Sequence, residues 1–202
     1  MQDTDPLLVE MPMPIRTTRL LVRPGRPGDG VQLFEAKRES WPELGRWQQW
    51  ASGPAEALTE SIEEAFARRK AAEFILRTEI WLPVFDCDEG RLLGAGGYHA
   101  IDWQGRLFST GYWIRTSETG KGLATELLNA LTRYAFGALA ANRLAISHAE
   151  GNEGSRRVIG KLGFEKEGMT RKFYLLNGVL MDSHHYARFN CDGLPELDVS
   201  WR

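Results

Sequence analysis

The segment Thr119-Gly120-Lys121-Gly122-Leu123-Ala124 joins a strand-like run, Tyr112-Trp113-Ile114, to an amphipathic helical pattern. Glycines at the point where a helix starts leave main-chain N–H groups bare, and the first turn of a helix has donors without intrahelical partners and a partial positive charge. The joint therefore predicts an anion cradle at the end of a strand. Taken alone, a Gly-Lys-Gly turn is as readily a tight connection. Further along, Asn152-Glu153-Gly154-Ser155 and Lys161-Leu162-Gly163-Phe164 make a second loop-and-helix unit, and the pair constrains the chain more than either half.

Around these units the hydrophobic period changes several times. Leu20-Leu21-Val22-Arg23 reads as a first strand stopped by Pro24-Gly25. Val31, Leu33, Phe34 and Ala36 predict a short helix with Asp29 as its N-cap, and Trp41, Trp47 and Trp50 follow in an irregular, aromatic-rich stretch. A second helix is expected over residues 55–72, where Leu58, Ile62, Ala65, Phe66 and Arg69 recur at helical spacing. Residues 80–85, 92–100 and 107–114 then alternate with period two and read as an antiparallel meander. Within it, Gly94-Ala95-Gly96-Gly97 marks a bulge or the close approach of another backbone.

After the glycine joint, Leu123, Leu127, Leu128, Leu131, Tyr134, Ala135 and Ala138 form one apolar stripe of a helix packed on a sheet. Leu144 to Ser147 gives a short strand. Ser155 is then expected to cap a helix that holds Val158, Ile159 and Leu162, with Gly163 ending it in the left-handed conformation. Residues 179–189 supply a last long strand. The proline-containing, acidic residues 1–13 are read as a flexible N-terminal arm, 14–190 as one domain and 191–202 as a C-terminal tail.

The chain has 202 residues, enough for one domain with a sizeable core. Its 25 Lys and Arg against 27 Asp and Glu give a net charge of −2, which calls for no nucleic-acid partner. Cys87 and Cys191 belong to no metal-ligand spacing, and Asp182, His184 and Tyr186 on one face of the last strand read as a satisfied polar face, so no metal is expected. The N-terminus is acidic where a signal peptide is basic, and no apolar run approaches the ~18 residues of a membrane span. A cytoplasmic protein with no membrane partner is expected.

The order of elements resembles the GNAT superfamily of acetyl-CoA-dependent N-acetyltransferases over roughly residues 15–190. Thr18-Arg19-Leu20-Leu21-Val22-Arg23-Pro24, Gly122-Leu123-Ala124-Thr125-Glu126-Leu127-Leu128 and the Asn152/Ser155/Val158/Lys161-Leu162-Gly163-Phe164/Glu167-Gly168 pattern are similar to the RimJ/RimL-type branch, which modifies protein N-termini. The resemblance implies an α/β (α+β) fold: a mixed, mostly antiparallel central sheet flanked by helices, with acetyl-CoA in the V-shaped splay between two central strands. It implies cofactor contacts from Trp113, Ile114, Thr119, Gly120, Lys121, Gly122, Leu123, Ala124, Asn152 and Ser155, with Asn152 toward the pantetheine and Ser155 near the thiol. Thr119 departs from the Arg or Gln usual at that position and removes one long polar contact to the diphosphate. Trp41, Trp47 and Trp50 correspond to the segment that lines the acceptor cleft in the family, although clustered tryptophans also arise from packing alone. A homodimer is admitted, in which residues 190–202 could take part.

Direct transfer needs an unprotonated amine, a polarised carbonyl and a proton for the departing sulfur. Widowed amides where strands part can polarise the carbonyl, beside Trp113 and Ile114. Ser155 is the candidate proton donor, and it is equally a simple N-cap. An α-amine of pKa about 7.7–8.0 is deprotonated at pH 7 for about 1 kcal/mol, whereas a lysine near 10.4 costs about 4.6 kcal/mol. A protein N-terminus, that of a ribosomal protein included, therefore asks little of a base; His99, Glu150 and a water chain are the candidates. Two rivals stand beside this reading: the same chemistry on a small amine such as an amino-acid analogue, polyamine or antibiotic, and a non-catalytic acyl-CoA sensor.

Overall fold

The computed structural model describes residues 5–202. The first four residues of the expected N-terminal arm lie outside that range. Among the described residues the order is β1 (Ile15–Thr17), β2 (Leu20–Val22), α1 (Gly30–Trp47), α2 (Glu60–Leu76), β3 (Ile80–Asp86), β4 (Leu92–Asp102), β5 (Leu107–Ile114), α3 (Leu123–Gly137), β6 (Arg143–Ala149), α4 (Glu153–Lys161), β7 (Glu165–Leu176), β8 (Val179–Arg188) and β9 (Val199–Trp201). The strands form one sheet in the order β7-β8-β6-β5-β4-β3-β2-β1-β9, antiparallel at every pair except β5 with β6. No helix among the described residues is long and apolar enough to cross a membrane.

Helices cover both faces. Leu123, Leu127, Leu128, Leu131, Tyr134 and Ala135 of α3 pack with Ile80, Leu82, Phe108, Leu144 and Ile146 on one side, and Ala138 is partly buried at the same cluster. Leu33, Ala36 and Leu44 of α1 and Ala67 of α2 pack with Phe85, Leu92, Ala95 and Trp113 on the other. Full burial of each large side chain contributes about 1.5–3 kcal/mol, so these two layers fix the sheet between the helices.

Several boundaries differ from the sequence expectation for identifiable reasons. The short helix is one long α1 that runs through Pro42, and Trp41 and Trp47 lie on it rather than in an irregular stretch. Its buried stripe continues through the polar Lys37 and Ser40, which an apolar count does not register. Asp29 stands at the N-cap position without a capping bond; its carboxylate is held by Arg23 at 2.7 and 2.8 Å and by Arg26 N. α2 starts at Glu60, where the Thr59 hydroxyl accepts from Ile62 N at 3.2 Å, and residues 55–57 form a separate 3-10 turn.

At the chain ends, Val9 O accepts from Arg77 at 3.1 Å, and Met11 and Met13 lie against the core. The tail carries β9, which pairs with β1, and Trp201 meets Tyr134 edge-on at 5.4 Å. The glycines of β4 reflect close approach: a β-carbon at Gly97, whose φ is +146°, would stand 1.9 Å from Ile80 O.

β5 and β6 pair only from Leu107 to Ser109 against Arg143 to Ala145. Beyond that register they part, and the divergence opens a cleft of about 1040 Å³ that runs from the glycine loop to the tryptophans of α1.

Candidate active site

The glycine loop stands at one end of the cleft. Gly120 and Gly122 have φ of +76° and +81°, a conformation that residues with a β-carbon avoid, and Gly122 is the N-cap of α3 without a side-chain cap. Among the described residues no acceptor is found for the main-chain N–H groups of residues 120–125; the first intrahelical bond is Glu126 N to Gly122 O at 3.1 Å. Such a row of orphan donors fits a diphosphate. Thr119 donates its hydroxyl back to Thr116 O at 2.8 Å. Lys121 does not line the cleft; its ammonium is spent on Glu118 at 2.8 Å.

The loop is held from behind by residues the sequence did not single out for a role. Arg19 donates to Lys121 O at 2.9 Å and to Glu126 at 2.6 Å, and the Thr17 hydroxyl also bonds Glu126 at 2.6 Å. The preceding turn is docked on α1: Ser40 accepts from Thr116 N at 3.0 Å, and Glu39 accepts from Ser117 N at 3.0 Å and Arg115 at 2.5 Å. Burial would raise the Glu39 pKa, yet hydrogen bonds from Ser117 and Arg115 overrule it and hold the carboxyl at about 2. The brace therefore stays charged across the physiological range.

α4 faces the loop. Its N-cap is Asn152, whose Oδ1 accepts from Ser155 N at 3.0 Å; Ser155 is not the cap, and its hydroxyl is free of that duty. Ser155 and Asn152 both line the cleft, as do Arg157 and Lys161, for which no ion-pair partner is found among the described residues. Across from Ser155 stands Tyr112, whose buried hydroxyl has no aligned hydrogen-bond partner among the described residues. Burial pushes its pKa up to about 12, while the neighbouring Ser155 hydroxyl works the other way.

Where β5 leaves β6, main-chain groups on one edge have no strand to bond. Arg115 N bonds Leu93 O at 2.7 Å on the β4 side, so by alternation Trp113 N also faces β4, and the amides of Tyr112 and Ile114 face the splay. Trp113 and Ile114 line the cleft, together with Leu123 and Ala124. These orphan amides, the orphan phenol and the two unpaired cations together suit a long ligand with an anionic end and a polarisable carbonyl.

The candidate bases separate. His99 lines the cleft; partial burial lowers its pKa, with Glu79 pulling the other way, and water at its exposed face limits both effects. Glu150 does not line the cleft: its carboxylate, mostly exposed, is bonded to His184. His148, which the sequence reading passed over, is buried on β6 and does line it. Its Nδ1 donates to Ala149 O at 2.9 Å, which leaves Nε2 to accept from the Tyr186 hydroxyl at 3.3 Å, and burial lowers its pKa.

Trp41, Trp47 and Trp50 line the far end with Phe66 and Trp81. Trp41 and Trp50 meet edge-on at 6.3 Å, and the indole N–H groups of Trp41 and Trp47 are held by Gly53 O at 3.0 Å and Glu43 at 2.9 Å. Two side chains that sequence order did not bring together, Lys37 and Glu63, form a buried ion pair here.

Comparison with known proteins agrees with this geometry. The family model described as "Acetyltransferase (GNAT) domain" matches residues 19–165. YdaF of Bacillus subtilis (strain 168), provisionally named a ribosomal N-acetyltransferase, is 34% identical over 173 residues, covering 85% of this chain and 89% of its own. The [Ribosomal protein uS5]-alanine N-acetyltransferase of Escherichia coli (strain K12) is 30% identical over 100 residues, 49% of this chain and 52% of its own. A solved RimL structure, a ribosomal L7/L12 alpha-N-protein acetyltransferase in complex with coenzyme A, shares the fold with a TM-score of 0.78 at 20% identity, covering 87% of this chain and 96% of that one. The chain belongs to the GNAT family and is an acetyl-CoA-dependent N-acetyltransferase.

Proposed function

We propose that the acceptor is the α-amine at the N-terminus of a protein, a ribosomal protein being the leading class, and that the reaction takes place in the cytoplasm. The observation that carries this reading is that, among the described residues, every carboxylate that lines the cleft is paired. Glu43 is matched by Arg46 at 3.1 Å, Glu63 by Lys37 at 2.6 Å, Glu79 by Lys70 at 2.9 Å and Glu118 by Lys121 at 2.8 Å. With no unmatched carboxylate in the cleft among the described residues to act as a strong base, the site suits an amine that is already partly unprotonated at neutral pH. The names of the relatives from Bacillus subtilis and Escherichia coli point the same way.

In this reading the amides of residues 120–125, with Arg157 and Lys161, hold the diphosphate of coenzyme A, which supplies the acetyl thioester when bound. The amides of Tyr112 and Ile114 polarise the carbonyl. Ser155 and Tyr112 offer hydroxyls to the sulfur as the carbon–sulfur bond breaks. His99, whose pKa partial burial lowers, receives the proton that the attacking nitrogen sheds, directly or through water. This reading favours His99 over Glu150, whose carboxylate is bonded to His184 and does not line the cleft.

Thiol release with a panel of short peptides, polyamines and amino sugars tests the acceptor. Peptides with a free N-terminus are expected to turn over, and their N-acetylated counterparts are not; turnover confined to small amines would remove the proposal. For a peptide acceptor kcat/KM should climb about tenfold per pH unit and level off near pH 8, following the α-amine. A rise continuing past pH 9 would point to a lysine side chain instead.

The brace behind the loop gives a separate check. Glu39→Ala removes the carboxylate that docks the turn before Thr119, and about five- to tenfold weaker coenzyme A binding is expected from the loss of its charged hydrogen bonds, with the acceptor KM unchanged. Titration with coenzyme A reads the first quantity, and steady-state kinetics the second.

A further inference from the structure

The acceptor end contains a cation that the transfer chemistry does not use. Lys37 of α1 and Glu63 of α2 meet at 2.6 Å with side chains only 7% and 3% exposed, and both line the cleft. Lys37 Nζ stands 4.2 Å from the centroid of Phe66 and 5.3 Å from that of Trp50. Aromatic faces around an ammonium are the means by which many proteins recognise cationic ligands. Here the chain fills that place with its own side chain. Of the three donors on an ammonium, Glu63 takes one, and no other acceptor is found among the described residues. Aromatic faces satisfy an ammonium less well than an oxygen acceptor does, so a ligand carbonyl that reaches a remaining N–H gains a charge-assisted hydrogen bond.

Among the described residues the other carboxylates at this end, Glu79 and Glu43, are already matched by Lys70 and Arg46, and Lys70 sets a second positive charge 5.5 Å from the Phe66 centroid, which disfavours a further cation. Resting on the reading of the acceptor as a peptide N-terminus, we propose that Lys37 determines acceptor specificity: it donates to the carbonyl beside the acceptor amine and excludes acceptors that carry further positive charge. The site then separates a peptide N-terminus from a polyamine or an amino sugar by electrostatics, and the tryptophans supply shape.

Calorimetric titration of the coenzyme A-loaded protein reads this apart from turnover, with a tripeptide amide that is neutral except at its α-amine, and with spermidine. Wild type is expected to bind the tripeptide amide at least about tenfold tighter. Lys37→Met keeps the length of the side chain, removes the charge and leaves Glu63 without its Lys37 partner beside Phe66 and Trp50. Tripeptide affinity should then fall about tenfold while spermidine affinity rises by a similar factor; a merely structural ion pair would weaken both probes alike. The double variant Lys37→Met with Glu63→Gln removes both charges, so it serves if the single variant does not fold, and it should lose the preference without gaining spermidine. An unchanged preference in a folded variant overturns the proposal, as does wild-type protein that binds spermidine as tightly as the tripeptide, or neither. Selective tripeptide binding without acetylation would leave Lys37 its role while removing the N-terminal acceptor.

Discussion

Gly122→Val raises the dissociation constant of coenzyme A by about a hundredfold or more, with a much smaller change in melting temperature. The size follows from two effects. Gly122 has φ of +81°, and a residue with a β-carbon there costs about 1–2 kcal/mol per residue, more when β-branched. The chain relieves that strain by turning the loop, and turning it moves the amides of residues 120–125 off a common target, where each charge-assisted bond to a phosphate is worth about 1.5–3 kcal/mol. Loss of two such bonds already exceeds a hundredfold at 1.4 kcal/mol per decade. Isothermal titration with coenzyme A and a thermal scan check it. Unchanged affinity in a folded variant would mean that the diphosphate lies elsewhere, and the placement of the cofactor along the splay would have to be abandoned.

That effect could be foreseen from the sequence because the loop is local. Two glycines between a strand pattern and a helix pattern dictate φ, cap and orphan donors within a few residues, and the apolar stripe from Leu123 to Ala135 then fixes the helix on the sheet. The meander of β3, β4 and β5 was legible for the same reason, since period-two alternation and turn residues are both short-range signals. β7 was missed because it is an edge strand with both faces largely exposed, so its residues carry no alternation to read. β9 is three residues held by pairing with β1 at the other end of the chain, and nothing near Val199 announces that partner.

Within the site, the residues that escaped notice are those defined by distance in space. Arg19 sits in the motif at the first strand, yet its bond to Lys121 O spans the whole meander. Lys37 looks like a surface lysine of a helix until Glu63, Phe66 and Trp50 close around it. Tyr112 reads as one more aromatic of a buried strand, and only the fold sets its hydroxyl, with no aligned partner among the described residues, beside Ser155. Ser155 and Asn152 show the opposite case: both were singled out, and the structure exchanged their structural duties, with Asn152 taking the cap. The family resemblance carried the cofactor; the geometry reassigned the helix cap.

That exchange sharpens the test of the proton donor. Ser155→Ala removes no cap, so the roughly 1 kcal/mol stability loss of a lost N-cap is not expected, and a fall in kcat can be read as chemistry. A phenol held at about 12 lies some 3.5 units above a thiol near 8.5, so handing its proton over completely is uphill by roughly 4.8 kcal/mol, and an aliphatic hydroxyl is worse. Tyr112 and Ser155 therefore act as hydrogen-bond donors to charge growing on sulfur, and the proton that finally settles there is the one His99 takes from the attacking nitrogen, returned through water, with the balance kept by solvent. Removing such a donor costs about 10²–10³ in kcat, as for other preorganised donors to a developing anion. Ser155→Ala and Tyr112→Phe should each fall in that range, with the dissociation constant of coenzyme A and the acceptor KM close to wild type. Tyr112→Phe should fold at least as stably as wild type, since it deletes a buried hydroxyl that has no aligned partner. If the two hydroxyls work as one relay, the double variant loses little beyond the worse single one. Turnover within about threefold of wild type in both single variants would show that neither hydroxyl meets the sulfur, and the buried phenol would then be only a wall of the cleft.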